Sequence, residues 1–148
     1  MKKTLLLYFI AVMALAANAP VYAQALPSWV RMGMSEQQIR QNFSGSLILE
    51  LGEGLNSDLR FLNGNAGNLQ YEFWLHYRTG LVGVVLFENF SVSTFNSIIS
   101  SFRLRHGEPE LDGDEYIFYR NLPPDIEEIS VSVASGLIEI FYVFWNFP

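Results

Sequence analysis

The feature that most restricts the fold of this chain is an alternation of apolar and polar residues from Leu69 that reverses at Thr79-Gly80 and returns to Phe90. A period of two places successive side chains on opposite faces of a sheet, and a Thr-Gly pair between two such runs is typical of a tight turn. The segment therefore predicts a long β-hairpin. The apolar series is Leu69, Tyr71, Phe73, Leu75 and Tyr77, and the other series is Gln70, Glu72, Trp74, His76 and Arg78.

A second hairpin is predicted from Ile126 to Trp145, with its turn at Ser135-Gly136. If both turns contain two residues, apolar side chains face each other across each hairpin. The predicted pairs are Tyr77–Val82, Leu75–Val84 and Phe73–Leu86 in the first hairpin, and Val133–Ile138, Val131–Ile140 and Ile129–Tyr142 in the second.

Two helices are also predicted. Residues Ser35 to Gln38 form a capping box, in which the serine and the fourth residue satisfy each other's backbone N–H groups, and Ile39 follows on the apolar face. The second helix begins at Ser91 or Ser93 and ends at His106, where basic residues suit the negative end of the helix dipole.

Between these elements the pattern is weaker. The run Leu47–Leu51 is either a strand or a continuation of the first helix, because a short apolar run does not decide the period. Short strands are predicted at Leu59–Leu62 and Glu115–Arg120. Residues Asn63–Asn68 and Glu108–Glu115 read as loops, the second of them acidic.

A shift of fifty-six positions carries Thr79-Gly80 onto Ser135-Gly136 and Ser35 onto Ser91. The order helix, strand, strand, strand then occurs twice, in halves 30–90 and 91–148. Either these halves are a tandem α-β-β-β repeat, or the chain reuses hairpins as α+β chains often do. We expect an α+β fold of two layers, with an antiparallel sheet of about six strands and both helices packed on one face.

The first residues predict export. Lys2 and Lys3 precede an apolar stretch that ends in Val21-Tyr22-Ala23, which is the order of a cleavable signal peptide, 1–23, with the cut after Ala23. An uncut anchor is the alternative. The remaining chain, 24–148, is predicted to be a single periplasmic domain without stable membrane insertion. It has no cysteine for a disulfide or for lipid attachment.

Cleavage would also remove both lysines, leaving seven arginines against fifteen acids, a net charge of −8. This balance argues against nucleic acid and anionic membranes as partners, since both reward clustered positive charge. A basic protein partner is favoured.

The sheet face opposite the helices is the predicted contact surface, because it mixes large rings with polar groups as interface centres do. Its alternatives are self-association through the same face, giving a homodimer, and coverage by residues 52–68. The candidate binding residues are Glu72, Trp74, His76, Arg78, Phe141 and Trp145.

The sequence predicts no catalytic residue, no metal site and no cofactor. It contains two histidines, His76 and His106, without ligand spacing, and no serine-nucleophile signature accompanies His76 and Glu72. For the acidic segment Glu108–Glu115, calcium binding is the alternative to a solvated loop, although the spacing is not that of an EF-hand.

The segment Trp29 to Ile39, with Gly33-Met34-Ser35 at the helix start, resembles small exported proteins of the SmpA/OmlA and β-lactamase-inhibitor-like group. The resemblance implies a non-enzymatic module that grips another protein through its sheet. The chain departs from that group because it lacks the lipidation cysteine and has one helix and three predicted strands per half, instead of two helices and four strands.

The sequence thus favours an exported inhibitor-like or immunity-like binding module. A self-associating structural component of the cell envelope is the main alternative. A small outer-membrane protein built of strands and an enzyme are weaker ones.

Overall fold

A computed structural model describes residues 26–54 and 57–145 of the chain. The predicted signal peptide 1–23 and its cleavage site therefore lie outside the described residues. The helices are α1 (Glu36–Asn42) and α2 (Val92–His106). The strands are β1 (Leu47–Leu51), β2 (Leu59–Ala66), β3 (Leu69–His76), β4 (Gly80–Asn89), β5 (Glu110–Asp112), β6 (Glu115–Phe118), β7 (Ile126–Ala134) and β8 (Leu137–Phe144).

All of these strands form one antiparallel sheet in the order β1-β2-β3-β4-β8-β7-β6-β5. The predicted α+β class is confirmed, but the predicted number of about six strands is wrong, because the sheet has eight. Among the described residues, each half contains one helix followed by four strands, rather than the predicted three strands. The additional strands are β1, which the sequence left ambiguous, and β5, which lies inside the segment predicted as an acidic loop.

The two halves meet where β4 pairs with β8, and Val85 lies opposite Phe141 at the middle of that pairing. These two residues are also related by the shift of fifty-six positions. Equivalent residues face each other in this pair, so the halves are arranged about a local twofold axis there. The same shift relates the pairing of β2 with β3 to that of β6 with β7, since it carries the pair Leu62↔Phe73 onto the pair Phe118↔Ile129.

Both helix starts follow the sequence rules. Ser35 caps α1 with the complete capping box, and the Ser91 side chain caps α2 by accepting from the Thr94 N–H. Ser91, not Ser93, is therefore the cap. Gly107 ends α2 with a positive φ of 81°.

Side chains from both helical regions reach the same face of the sheet. After α1, the Phe43 ring contacts Phe73 edge-on at 5.7 Å, and in α2 the Phe102 ring lies 5.5 Å from that of Phe118. The register β3-β4-β8-β7-β6 puts Phe73 and Phe118 in one row on one face. This face carries the hydrophobic core, and its opposite is called the open face below.

The predicted register of the second hairpin is confirmed, because Val133, Val131 and Ile129 face Ile138, Ile140 and Tyr142. The predicted register of the first hairpin is wrong. Its turn contains Tyr77, Arg78 and Thr79, and a bulge lies between Trp74 and Leu75, so Phe73 pairs with Val84 instead of Leu86. As a result, Tyr77 leaves the core and lies exposed in the turn.

The predicted loop Asn63–Asn68 is also wrong, because β2 continues to Ala66 and turns at Gly67-Asn68. The predicted acidic loop contains a small hairpin in which Leu111 pairs with Tyr116.

Candidate functional site

The open face consists of the side chains that alternate with the core residues along each strand. In the central rows these are Phe61, Asn63, Glu72, Trp74, Gly83, Val85, Phe87, Ser130, Ser132, Glu139, Phe141 and Val143. The sequence prediction that Glu72, Trp74 and Phe141 share this face agrees with the pairing.

Three aromatic rings form a continuous cluster on the open face. The rings of Trp74 and Phe141 have centroids 4.7 Å apart, and Phe61 meets Trp74 edge-on at 5.3 Å. The cluster spans both halves of the chain, because Phe61 and Trp74 belong to β2 and β3 whereas Phe141 belongs to β8. Each of the three rings is only half-buried. Ring area remains accessible here, which is typical of the centre of a binding surface.

Gly83 makes room for this cluster. A Cβ atom at residue 83 would lie 2.6 Å from Cε2 of Phe141, so the phenyl ring rests directly on the backbone of β4. Val85 and Ser130, which also belong to the open face, are buried even though the helices lie on the other side. The neighbouring open-face side chains therefore shield the middle of the sheet from solvent.

Glu72 holds the indole of the cluster in place. The Trp74 Nε1–H donates a 2.6 Å hydrogen bond to Oε1 of Glu72, two residues earlier on the same strand face. Burial raises the pKa of the Glu72 carboxyl above its ordinary value, the hydrogen bond from Trp74 opposes this rise, and the charges of Glu50 and Glu139 add to it. A half-buried carboxylate surrounded by other carboxylates gains from a nearby positive charge.

The far side of the open face repeats this chemistry. Glu128 is the residue onto which the shift of fifty-six positions carries Glu72, and its carboxylate accepts a hydrogen bond from the Tyr119 hydroxyl. Burial is the main cause that raises the pKa of Glu128, and Glu115 and Glu127 add to it.

The charge of the open face is one-sided. Along the described strands, the residues with open-face register that carry a formal charge at neutral pH are all carboxylates, and none is arginine. They include Glu50, Glu72, Glu110, Asp112 and Glu139. Arg60 has the opposite register and pairs with Glu36 of α1 on the helix side.

Two of the predicted binding residues lie at the end of the sheet. His76 is the last residue of β3, and its Nδ1 lies 3.2 Å from the Thr79 hydroxyl. Arg78 does not belong to the strand face as predicted, because the turn begins at Tyr77 and the Arg78 guanidinium lies 5.0 Å from the centre of the Tyr77 ring. The contacts of both residues are therefore with the turn that follows β3.

Trp145 follows the end of β8. Its backbone N–H donates to the Asp125 carbonyl, and its side chain is exposed. Trp145 has the parity of the open face, but the structure places it beyond the paired part of the strand.

Sequence reasoning missed Phe61, Gly83 and Glu50. Phe61 was assigned to a strand but not to a face, because neither the length nor the neighbours of that strand were known. A strand with period two would put Leu59, Phe61, Asn63 and Asn65 on one face, and this spacing could have placed Phe61. The Asn and Gly residues of the segment instead favoured a loop.

A cavity of about 470 Å³ lies on the helix side of the molecule. The segment that precedes α1, the end of α2 and the turn before β7 line it, with Arg31, Arg105 and Asp125 among its polar residues. At its inner wall, burial raises the pKa of Tyr142, and the charge of Arg105 opposes this rise.

In 26–54 and 57–145, no three His, Asp or Glu side chains are grouped so that they would hold a metal ion. Within the same ranges, no helix has the length and apolar character needed to cross a membrane. The acidic hairpin β5–β6 is exposed along β5.

Comparison with known proteins gave no match to a protein-family model, a curated protein or a solved structure.

Proposed function

We propose that this protein is a non-enzymatic, exported protein-binding module that grips a basic partner protein through its open face. The observation that carries the proposal is the partly buried cluster of Phe61, Trp74 and Phe141, on a face whose formally charged residues in the described strands are carboxylates. Rings supply contact area at low entropic cost, and the carboxylates select a partner of opposite charge. An inhibitor-like or immunity-like role in the periplasm fits this chemistry.

The electrostatics of Glu72 support a basic partner in particular. Its carboxylate is half-buried and close to two like charges, so an arginine or lysine from a partner would relieve an existing repulsion. The Trp74 and Phe141 rings beside it offer faces on which a guanidinium stacks. A sheet layer backed by a helix layer would leave this face available.

The same charge argues against self-association through the open face. Two copies docked face to face would bring carboxylates against carboxylates, and like charges across an interface destabilise it. The resemblance to the SmpA/OmlA and β-lactamase-inhibitor-like group points to the same mode of binding and stays a prediction.

Affinity capture of cell-envelope proteins with the purified protein tests the proposal. We expect a basic partner whose binding weakens with salt and is lost in Trp74→Ala and in Glu139→Lys, since the first removes ring area and the second reverses a charge. Leu104→Ala is the matched control, because Leu104 is exposed on α2 and away from the sheet. Identical sets of captured proteins for the wild type and Trp74→Ala would contradict the proposal.

A further inference from the structure

The two edge strands of the sheet, β1 and β5, differ in length, in charge and in the exposure of their apolar side chains. β5 has three residues, of which two are acidic, and both its shortness and its charge protect an edge against pairing. β1 has five residues, and Glu50 is its one charged residue. Leu47 is buried, but the other apolar side chains of the strand are accessible: Ile48 is 66% exposed, Leu49 39% and Leu51 71%.

The free side of β1 also has a defined set of backbone groups. Gly52, which follows the strand, donates its N–H to the Leu59 carbonyl of β2. In an antiparallel pair these bonds alternate, so residues 50 and 48 also bond to β2, while the N–H and C=O groups of Leu47, Leu49 and Leu51 point away from the sheet. The Arg40 guanidinium donates to the Leu47 carbonyl at 2.8 Å, which agrees with this assignment.

We propose that β1 pairs antiparallel with β1 of a second copy of this chain, with the twofold axis at Leu49. In this register Leu49 faces its own copy, Leu47 faces Leu51, and Ile48 faces Glu50. Every outward backbone group of the strand then has a hydrogen-bond partner in the second copy. The Leu47 carbonyl already accepts from Arg40, and its second lone pair accepts from the second copy. A register centred on Glu50 would oppose two carboxylates, and one centred on Ile48 would leave Leu51 unpaired.

The chain already contains a junction of this kind. Its halves join through the antiparallel pair β4–β8 about a local twofold axis at Val85 and Phe141. A β1–β1 pair would repeat that arrangement at the outer edge and extend the sheet across two molecules. Because such an axis is perpendicular to the sheet, the open faces of both copies would lie on the same side.

The inference does not rest on the proposed function, because the β1 edge and the open face are different surfaces. A single five-residue strand gives a small interface, so we expect a weak, reversible dimer with a Kd of roughly micromolar or weaker. Sedimentation over a wide concentration range should show a reversible monomer–dimer equilibrium. Trp74→Ala should leave this equilibrium unchanged.

Cysteine trapping tests the register, since the chain contains no cysteine of its own. Opposed residues of a hydrogen-bonded antiparallel pair have Cα atoms about 5.5 Å apart, which lies inside the range of about 4.4–6.8 Å that a disulfide requires. Leu49→Cys should therefore give a disulfide-linked dimer under mild oxidation. Leu111→Cys on β5 is the control, because its side chain is more exposed, at 66%, and random collisions would favour it.

Charge variants on neighbouring positions give an independent test. Leu49→Lys places two ammonium groups across the axis and should abolish the dimer, whereas Ile48→Lys faces Glu50 of the second copy and should preserve or strengthen it. Sedimentation as a monomer at every concentration, together with no faster cross-linking of Leu49→Cys than of Leu111→Cys, would overturn the proposal. Equal loss of the dimer in both lysine variants would overturn the register.

Discussion

The ring of Phe141 lies on Gly83, so the second half of the chain packs its side chain onto the bare backbone of the first half. A Cβ atom at residue 83 would be 2.6 Å from Cε2 of Phe141 and 3.1 Å from its Cζ. The glycine does not have a positive φ, so the space above it, and not its backbone conformation, explains why a side chain is excluded.

Gly83→Ala should therefore destabilise the protein by displacing the Phe141 ring. Overpacking of this kind costs about 1–3 kcal/mol, which urea denaturation would detect as a lower midpoint. In a Phe141→Ala background the ring is absent, and the same substitution should cost little or even stabilise the strand. An equal cost in both backgrounds would contradict the account.

Glu72→Gln should stabilise the fold at neutral pH. Burial is the main cause that raises the pKa of Glu72 in the folded protein. The folded state therefore holds this proton more tightly than the unfolded state, and the protein loses stability as the pH rises from the ordinary pKa of glutamate to the raised one. Glutamine removes the charge and keeps an oxygen that accepts from Trp74 Nε1. The urea midpoints of variant and wild type should differ at neutral pH and converge below about pH 4, where both side chains are neutral.

Glu36→Gln is a control for that comparison, since Glu36 lies on the helix side and bonds to Arg40. Removal of its charge should lower stability slightly or leave it unchanged. A lower urea midpoint for Glu72→Gln than for the wild type at neutral pH would contradict the proposal that the charge on Glu72 destabilises the fold.

The register of the second hairpin was predictable from its turn back to Glu128, where a register shift precedes it, whereas the register of the first hairpin was not predictable. At Ser135-Gly136 the turn has two residues, so the period-two pattern alone gives the register of β7 and β8. In the first hairpin the turn has three residues, and β4 has one extra residue, because Trp74 pairs with Gly83 while Leu75 pairs with Leu81. Both features change the pairing without changing the alternation in β3. Local sequence rules read the alternation and do not count a bulge.

β2 shows why a strand can look like a loop. Gly64 lies where β1 comes close, and a Cβ there would be 2.7 Å from the Ser46 carbonyl oxygen. Glycine is therefore required by a contact with a residue distant in sequence, and the usual reading of Asn-Gly as a turn fails. For the same reason the sequence could indicate Trp74 and Phe141 as open-face residues but not Phe61 or Gly83, whose roles depend on neighbouring strands.

The two serines at the start of α2 give a direct test of helix capping. Ser91→Ala should cost about 1 kcal/mol, because the Thr94 N–H loses its side-chain acceptor. Ser93 is exposed inside the first turn, so Ser93→Ala should change stability by less than about 0.5 kcal/mol. Thermal unfolding of the two variants measures the difference, and a larger effect at Ser93 would contradict the assignment of the cap.

The shift of fifty-six positions also relates Gly80 to Gly136, and these glycines form the matched pair for the last prediction. Gly80 and Gly136 have nearly the same positive φ, 78° and 79°. Alanine at either position bears the backbone strain of the left-handed region, about 1–2 kcal/mol. The surroundings differ, because a Cβ at residue 80 would overlap the carbonyl of Gly33, while residue 136 has open space around it.

Gly80→Ala should therefore be the more damaging of the two by a further 1 kcal/mol or more, roughly the cost of overpacking. The extra loss arises because the Gly33–Met34 segment must move, and this segment exchanges backbone hydrogen bonds of 2.9 Å with Leu81. Urea denaturation of the two single variants measures this difference directly. Equal losses of stability in the two variants would mean that the Gly33–Met34 segment moves away from residue 80 at no energetic cost. Its hydrogen bonds to Leu81 would then not stabilise the protein.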